Sequence, residues 1–172
     1  TTQADWMIQY DLLKKNKLYV ITGIEEFIRD YRTFKEFTSL SDYEEVRNSG
    51  IDIVYMKASE GSNFVDPYFN QNYTNAKANG LKVGFYHYLT ARSEEEARAE
   101  AEFFVANIKG TEPKCKLAMD FESFGDLSIE EINEISKVFL ERVQELSGKE
   151  CVIYSDAYNA RETFDEELAE KY

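Results

Sequence analysis

The sequence predicts an α/β domain in which parallel β-strands alternate with amphipathic helices. From residue 50 onward, short apolar runs rich in β-branched and aromatic residues alternate with segments of helical periodicity. Each run is almost continuously apolar, as expected for parallel strands that are covered on both faces. This βαβαβαβα order is typical of a parallel sheet or a (β/α) barrel. Because only five or six strand candidates are present, against eight in a standard barrel, we predict an incomplete or rearranged TIM-like barrel.

The strand candidates are defined by their apolar side chains and by the turn residues around them. Four are predicted at residues 51–57, 81–89, 116–121 and 151–155, and a fifth at residues 18–22. Residues 6–10 fit either a strand or one face of a helix, and both alternatives stay open. Residues 24–34 and 41–48 carry the spacing of amphipathic helices.

Start and stop signals bound the helices between these strands. Asp66-Pro67 predicts an N-cap followed by proline at the first helical position, and Gly80 predicts the end of that helix. Gly148 predicts the end of the longest helix. Three Ser/Thr-x-x-Glu patterns predict where helices begin: Ser93 with Glu96, Ser128 with Glu131, and Thr163 with Glu166.

The composition bounds the number of domains and the kinds of partner. The chain has 172 residues, 43% of them hydrophobic, which suits one packed domain over residues 1–172. Its 20 basic and 33 acidic residues give a net charge of −13, which disfavours nucleic acid and anionic membranes as partners. No apolar run approaches the roughly 20 residues that span a membrane, and the first residues do not read as a signal peptide.

Cysteine and histidine are too scarce for a disulfide framework or a structural zinc site. The two cysteines, Cys115 and Cys151, both lie at the start of predicted strands. We expect two reduced, buried thiols, while a single bridge stays open if those strands are neighbours. With one histidine and no Cys-x-x-Cys pattern, a zinc ion would find almost no ligands.

The motif with the most chemical content is Leu117-Ala118-Met119-Asp120-Phe121-Glu122. Because side chains alternate along a strand, Asp120 and Glu122 point to one face, roughly 6.5–7 Å apart by strand rise. They lie at the carboxyl end of a predicted parallel strand, where α/β folds place their active sites. Two neighbouring carboxyl groups ionise unequally, and an unequal pair is what cleavage of a glycosidic bond requires. The alternatives are a pair that caps the next loop or one that holds a divalent cation.

Several short blocks occur in a characteristic order. The four that carry most of the pattern are Lys57-Ala58-Ser59-Glu60-Gly61, Gly84-Phe85-Tyr86-His87-Tyr88, Met119-Asp120-Phe121-Glu122 and Ile153-Tyr154-Ser155. Asp66-Pro67-Tyr68-Phe69 and residues 76–84 agree with the same pattern. In this order the blocks resemble glycoside hydrolase family 25, the N-acetylmuramidases (lysozymes) of bacteria and their phages, most of all the clostridial type. The resemblance covers roughly residues 43–172.

The resemblance implies a reaction and a set of site residues. Members of the family hydrolyse the β-1,4 bond between N-acetylmuramic acid and N-acetylglucosamine in peptidoglycan, without metal or cofactor. Glu122 matches the general acid, and Asp120 matches the residue that orients it or stabilises charge beside it. The residues expected to line the saccharide groove are Lys57, Glu60, Tyr86 and Tyr154. Peptidoglycan is therefore the expected partner, and the expected location is extracellular or in the cell wall.

Other interpretations of these residues stay open. His87, which lies between two tyrosines, fits a hydrogen-bonded core histidine at least as well as a catalytic one. Tyr86 and Tyr154 fit core aromatics, and Lys57 with Glu60 fits an ordinary ion pair. The alternative function is a catalytically inactive, engineered or chimeric α/β scaffold, or a saccharide-binding module, derived from the same fold.

The first forty residues depart from the family pattern. The family's first strand, with its catalytic aspartate, would fall near Thr33, or near Thr22 or Glu25 if the loop is longer. The family's last strands, which carry another active-site aspartate, have no match after residue 172. Asp30, Glu25 and Glu26 are the candidates to replace the two missing carboxylates. Residues 6–10 favour circular permutation, whereas the helical pattern at 24–34 favours replacement of residues 1–40, which we place slightly ahead. A barrel short of strands has an exposed sheet edge, which would allow a homodimer.

Overall fold

The structure, a computed structural model, describes residues 18–21, 42–48, 50–155 and 157–172. These residues form an alternating α/β arrangement, as the sequence predicts. The strands are β1 (Leu18–Ile21), β2 (Ile53–Glu60), β3 (Phe64–Val65), β4 (Lys82–Tyr88), β5 (Leu117–Asp120) and β6 (Cys151–Tyr154). The helices are α1 (Asp42–Asn48), α2 (Phe69–Ala78), α3 (Glu94–Asn107), α4 (Ile129–Ser147), α5 (Ala157–Glu162) and α6 (Glu166–Lys171).

The strands form one sheet in the order β1-β2-β4-β5-β6, and every neighbouring pair along it is parallel. The short strand β3 pairs antiparallel with the last two residues of β2. The predicted parallel sheet is therefore confirmed. Among the described residues the sheet is not closed, because β1 and β6 have a neighbour on one side only. Closure into a barrel is thus not part of the observed fold.

One face of the sheet is covered by helices. From α2, the Phe69 ring lies 4.9 Å from the Phe85 ring, and from α3 and α4 the rings of Phe104 and Phe139 lie 5.4 and 5.2 Å from that of His87. Since Phe85 and His87 are two residues apart on β4, their side chains share this helix-covered face. It contains the largest fully buried side chains of the core. The opposite face, called the polar face below, carries Lys57, Glu60, Tyr86, Tyr88, Asp120 and Tyr154 by alternation and register.

Two of the predicted helix starts are confirmed and two are wrong. The Ser128–Glu131 capping box forms in full, and the Ser93 hydroxyl accepts a hydrogen bond from the Glu96 amide. The helix predicted to start at Asp66-Pro67 begins at Phe69, since the Asp66 carboxylate accepts a hydrogen bond from the Tyr68 amide in the turn before it. The last helix is capped by Asp165, whose carboxylate accepts from the Leu168 amide, rather than by Thr163. The Thr163 amide instead donates to the Asn159 carbonyl at the end of α5.

The remaining local predictions concern two strands, the two cysteines and two segments near the start of the chain. Strand β2 continues three residues beyond the predicted end at residue 57, while the predicted strand at 18–22 is observed at Leu18–Ile21 beside β2. Cys115 and Cys151 are free thiols, as expected; Cys151 is buried, and Cys115 is half-buried. The elements predicted at residues 6–10 and 24–34 lie outside the described residues.

Gly84 allows a close approach between β4 and a tyrosine on β2. A Cβ atom at Gly84 would lie 2.4 Å from Cε1 of the Tyr55 ring. The Tyr55 hydroxyl donates a hydrogen bond to the Lys116 carbonyl oxygen, so its ring is held at both ends. We therefore expect Gly84→Ala to lower the free energy of unfolding by about 1–3 kcal/mol through overpacking. Chemical denaturation should show it, and combining it with Tyr55→Ala should give less than the sum of the single effects; strict additivity would contradict this explanation.

Candidate active site

The carboxyl end of β5 carries a pair of carboxyl groups. Asp120 is the last residue of the strand and is only 8% exposed, whereas Glu122, two residues later, is half-buried. The Oδ1 atom of Asp120 is buried and makes no hydrogen bond with the described residues. A buried carboxyl oxygen without a donor strongly disfavours the ionised form of the group. The carboxyl end of β5 thus carries one shielded and one more accessible carboxyl group.

The environment of Asp120 raises its pKa from an ordinary 3.8 to about 8. Burial is the largest cause, and the negative charge of Glu122 is the second, with a smaller contribution from Glu60. The positive charge of Lys57 acts in the opposite direction but is outweighed. Asp120 therefore keeps its proton at neutral pH, and the pair is chemically unequal.

A β-bulge places two further charged groups on the polar face. Lys57 pairs with Tyr86 in the register with β4, but Ser59 pairs with His87, the very next residue of β4, so β2 contains one extra residue, Ala58. Lys57 and Glu60 would face opposite sides of a regular strand, because they are three residues apart. The extra residue brings both to the polar face, where Lys57 Nζ lies 2.6 Å from Glu60 Oε2. Glu60 is the third carboxyl group of the site.

Tyr88 is a member of the site that the sequence analysis does not single out. It is the last residue of β4 and pairs with Glu60 on one side and Asp120 on the other. Burial and the charges of Asp120, Glu122 and Glu60 raise the pKa of its hydroxyl, while Arg92 lowers it. Lys57 Nζ lies 5.4 Å from the centre of its ring. Tyr88 is two residues after Tyr86 and so shares its face of the predicted strand, and this is the signal that could have identified it.

The two tyrosines predicted to line the groove also lie on the polar face, at different depths. Tyr154, the last residue of β6, pairs with Asp120 and is half-buried. Tyr86 pairs with Lys57 and Ala118 one row below, and it is 5% exposed. Lys57 in the same row is 6% exposed. The structure thus brings Asp120, Lys57, Glu60, Tyr86 and Tyr154 to one end of one face, in an outer row and a floor, and Glu122 lies in the loop that follows β5.

His87 belongs to the core on the other face of the sheet. It is fully buried between Phe104 and Phe139, its Nδ1 lies 2.9 Å from Ser59 Oγ, and its Nε2 lies 2.9 Å from Glu100 Oε2. Burial lowers its pKa, although Glu100 acts in the opposite direction. The interpretation of His87 as a hydrogen-bonded core histidine is the one that the structure supports.

The remaining candidate residues for chemistry can be located only in part. The stand-in positions Thr22, Glu25, Glu26, Asp30 and Thr33 lie outside the described residues. Within the ranges that the structure describes, no cluster of three His, Cys, Asp or Glu side chains is arranged to hold a metal ion. No helix of these ranges is both long and apolar enough to cross a membrane.

The geometry defines a class of site: an unequal carboxyl pair with aromatic and charged neighbours at the carboxyl edge of a parallel sheet. Comparison with known proteins agrees with that class. The family described as Glycosyl hydrolases family 25 matches residues 34–172, and the chain belongs to this family. The match begins nine residues before the resemblance recognised from the sequence blocks and includes part of the segment predicted to be replaced.

Three relatives illustrate the similarity. The autolytic lysozyme of Clostridium acetobutylicum is 36% identical over 118 residues, which are 68% of this chain and 36% of that protein. The crystal structure of the CTP1L endolysin has a TM-score of 0.64 at 33% identity, over 75% of this chain and 45% of that one. A family 25 glycosyl hydrolase from Bacillus anthracis has a TM-score of 0.58 at 26% identity, over 76% and 58% of the two chains. This chain thus covers between about a third and three fifths of these relatives.

Proposed function

We propose that the protein hydrolyses the β-1,4 bond between N-acetylmuramic acid and N-acetylglucosamine in peptidoglycan. Membership of the family supports this reaction class. The observation that carries the proposal is the carboxyl pair at the end of β5, in which Asp120 retains a proton at neutral pH beside the more accessible Glu122. Acid-catalysed cleavage of a glycosidic bond needs such a retained proton.

We assign the role of general acid to Glu122. The oxygen of the leaving sugar must receive a proton whether C1 is attacked by water or by the substrate's own acetamido group, and Glu122 is the member of the pair that a saccharide can reach. Asp120, which is shielded from solvent, holds the shared proton of the pair and passes it to Glu122, which delivers it to the leaving oxygen. After the transfer both carboxyl groups are ionised, and the positive charge of Lys57 favours the ionised form of Asp120.

The depth of the other site residues divides their roles. Glu60 and Tyr154 lie in the outer row with Asp120, together with Tyr88, and we assign them to contact with the saccharide. Aromatic faces suit the apolar face of a sugar ring, and a carboxylate accepts hydrogen bonds from its hydroxyls. Lys57 and Tyr86 lie beneath this row. Their role is to form the floor of the groove and, for Lys57, to hold Glu60 in place.

The direct test is clearing of a purified Gram-positive cell-wall suspension by the whole chain, with the newly released reducing ends identified after borohydride reduction. The proposal expects clearing together with reduced N-acetylmuramic acid. Release of reduced N-acetylglucosamine instead would assign a different glycosidic bond. Absence of any new reducing end, with binding to the walls retained, would overturn hydrolysis in favour of a saccharide-binding module.

We further propose that residues 1–172 act as one α/β domain, that the sheet is part of a TIM-like barrel, and that the protein works outside the cell or in the wall.

Among the described residues, β6 has β5 as its only neighbouring strand. An unpaired parallel edge is a ready template for another strand, so we expect a homodimer through this edge. Sedimentation equilibrium should give twice the mass of the 20.0 kDa chain; a monomer at all concentrations would contradict it.

A further inference from the structure

We propose that Ser59, His87 and Glu100 form a positioning network: from the helix-covered face, they hold β2 in the bulged register that puts Glu60 beside Lys57 and Asp120. The network does not touch the saccharide groove, and it acts on the site through the backbone of β2. The proposal rests on the proposed function for its kinetic consequences, but its structural part can be tested independently.

The register of β2 against β4 shows what the network holds. In the observed register, Ser59 lies opposite His87 and Glu60 opposite Tyr88. Without the bulge, Ala58 would lie opposite His87, and every later residue of β2 would change faces. Glu60 would then point toward the helices, and Ser59 would take its place on the polar face. The Ser59–His87 hydrogen bond therefore exists only in the register that builds the site.

The hydrogen bonds around Glu100 decide which ring nitrogen of His87 donates a proton and which one accepts. Its Oε2 accepts from the Thr90 amide at 3.0 Å and lies 2.9 Å from His87 Nε2, while its Oε1 accepts from the Thr90 hydroxyl at 2.8 Å. With donors on both oxygens, Glu100 takes the Nε2–H of His87, which leaves Nδ1 to accept the Ser59 hydroxyl proton at 2.9 Å. All three residues are at most 3% exposed, so each of these bonds is shielded from competing water.

The network also reaches the loops around the groove. Thr90 follows β4, and its hydroxyl oxygen lies so close to Gly61 that a Cβ there would approach it to 3.2 Å. Gly61, at a φ of +56°, follows β2 directly and donates its amide to the Tyr88 carbonyl at 3.2 Å. Glu100 thus anchors the segments that leave β2 and β4 at the point where Glu60 and Tyr88 face Asp120. An apolar side chain of similar size would often fill such a buried position with no loss of stability, so packing alone does not explain Glu100.

The test compares Ser59→Ala with Ser136→Ala in the whole chain. Both serines are fully buried and each loses one hydroxyl, but Ser136 donates to the Ile132 carbonyl within α4 and is not part of the network. Ser59→Ala should lower kcat on purified cell walls about tenfold, with the apparent KM within about twofold, while Ser136→Ala keeps the parent kcat. Glu100→Gln, which cannot accept all of these bonds, should show the same pattern as Ser59→Ala.

A second readout separates positioning from a general loss of stability. Asp120 is faced by Glu122, Glu60, Lys57 and Tyr88, and Glu60 is the member that a register slip would remove. Carboxyl-carbon NMR should therefore show Asp120 titrating at lower pH in Ser59→Ala and unchanged in Ser136→Ala. If the parent does not cleave walls, the proposed function fails, yet this titration still tests the network. An Asp120 titration unchanged in Ser59→Ala, or an equal loss of kcat in Ser136→Ala, would overturn the proposal.

Discussion

Glu122→Gln should abolish most cell-wall clearing while leaving the protein folded. Glutamine keeps the size and hydrogen-bonding shape of the side chain but cannot donate an acid proton to the leaving sugar. Loss of general acid catalysis is expected to reduce the rate about 10²- to 10⁴-fold. Because Glu122 is half-buried and lies in the loop after β5, the change should leave the thermal unfolding midpoint near that of the parent. Clearing of walls and release of reducing ends measure the rate.

The matched control for this variant is Glu130→Gln. Glu130 is exposed in the first turn of α4 and lies outside the carboxyl pair. It undergoes the same chemical change, so it should clear walls at the parent rate. If Glu122→Gln also keeps the parent rate, Glu122 is not the general acid, and the assignment of the reaction to this pair is wrong.

Asp120→Asn should become more stable relative to the parent as pH rises. The folded protein raises the pKa of Asp120 from 3.8 to about 8, so between these values the folded state binds more protons than the unfolded state. By linkage, the parent loses stability as pH rises through this range, and the loss is complete above pH 8. The full effect is on the order of 5 kcal/mol. Asparagine cannot ionise, so the variant gains stability relative to the parent as pH rises.

Chemical denaturation of parent and variant at pH 5, 7 and 9 measures this difference. Asp126→Asn, a change at an exposed position of the loop after β5, should follow the parent at each pH. Asp120→Asn should also lower the clearing rate, because the pair then lacks the proton that Asp120 holds beside Glu122. A free-energy difference between Asp120→Asn and the parent that does not vary with pH would show that Asp120 ionises in the ordinary range.

Much of the fold could be predicted because its signals are local. Continuous apolar runs predicted strands β2, β4, β5 and β6, and serine caps predicted the starts of α3 and α4. Two helix starts lie two residues later than predicted, because Asp66 accepts its hydrogen bond in the turn before α2 and because Asp165, rather than Thr163, caps α6. Among the described residues the sheet is not closed. Closure depends on pairing between strands far apart in the chain, which the pattern of any one strand does not determine.

The carboxyl pair is where the sequence by itself determined most about this protein. The sequence predicted that Asp120 and Glu122 lie near each other, and the order of the blocks around them was enough to identify the family. The inequality of the pair was predicted as a consequence of two neighbouring like charges. Which member keeps the proton was decided by tertiary structure, because burial of Asp120 is the largest cause of its raised pKa.

The rest of the site was decided only by contacts between distant parts of the chain. Lys57 and Glu60 share a face because β2 contains a bulge, and the hydrogen bond that accompanies this bulge joins Ser59 to His87, 28 residues later. Tyr88 belongs to the site because β4 lies between β2 and β5. A sequence pattern records the period of a strand, but a one-residue shift of register is set by the neighbouring strand. The sequence therefore predicts which chemical groups each strand carries, whereas the assembly of these groups into one site depends on how the strands pair.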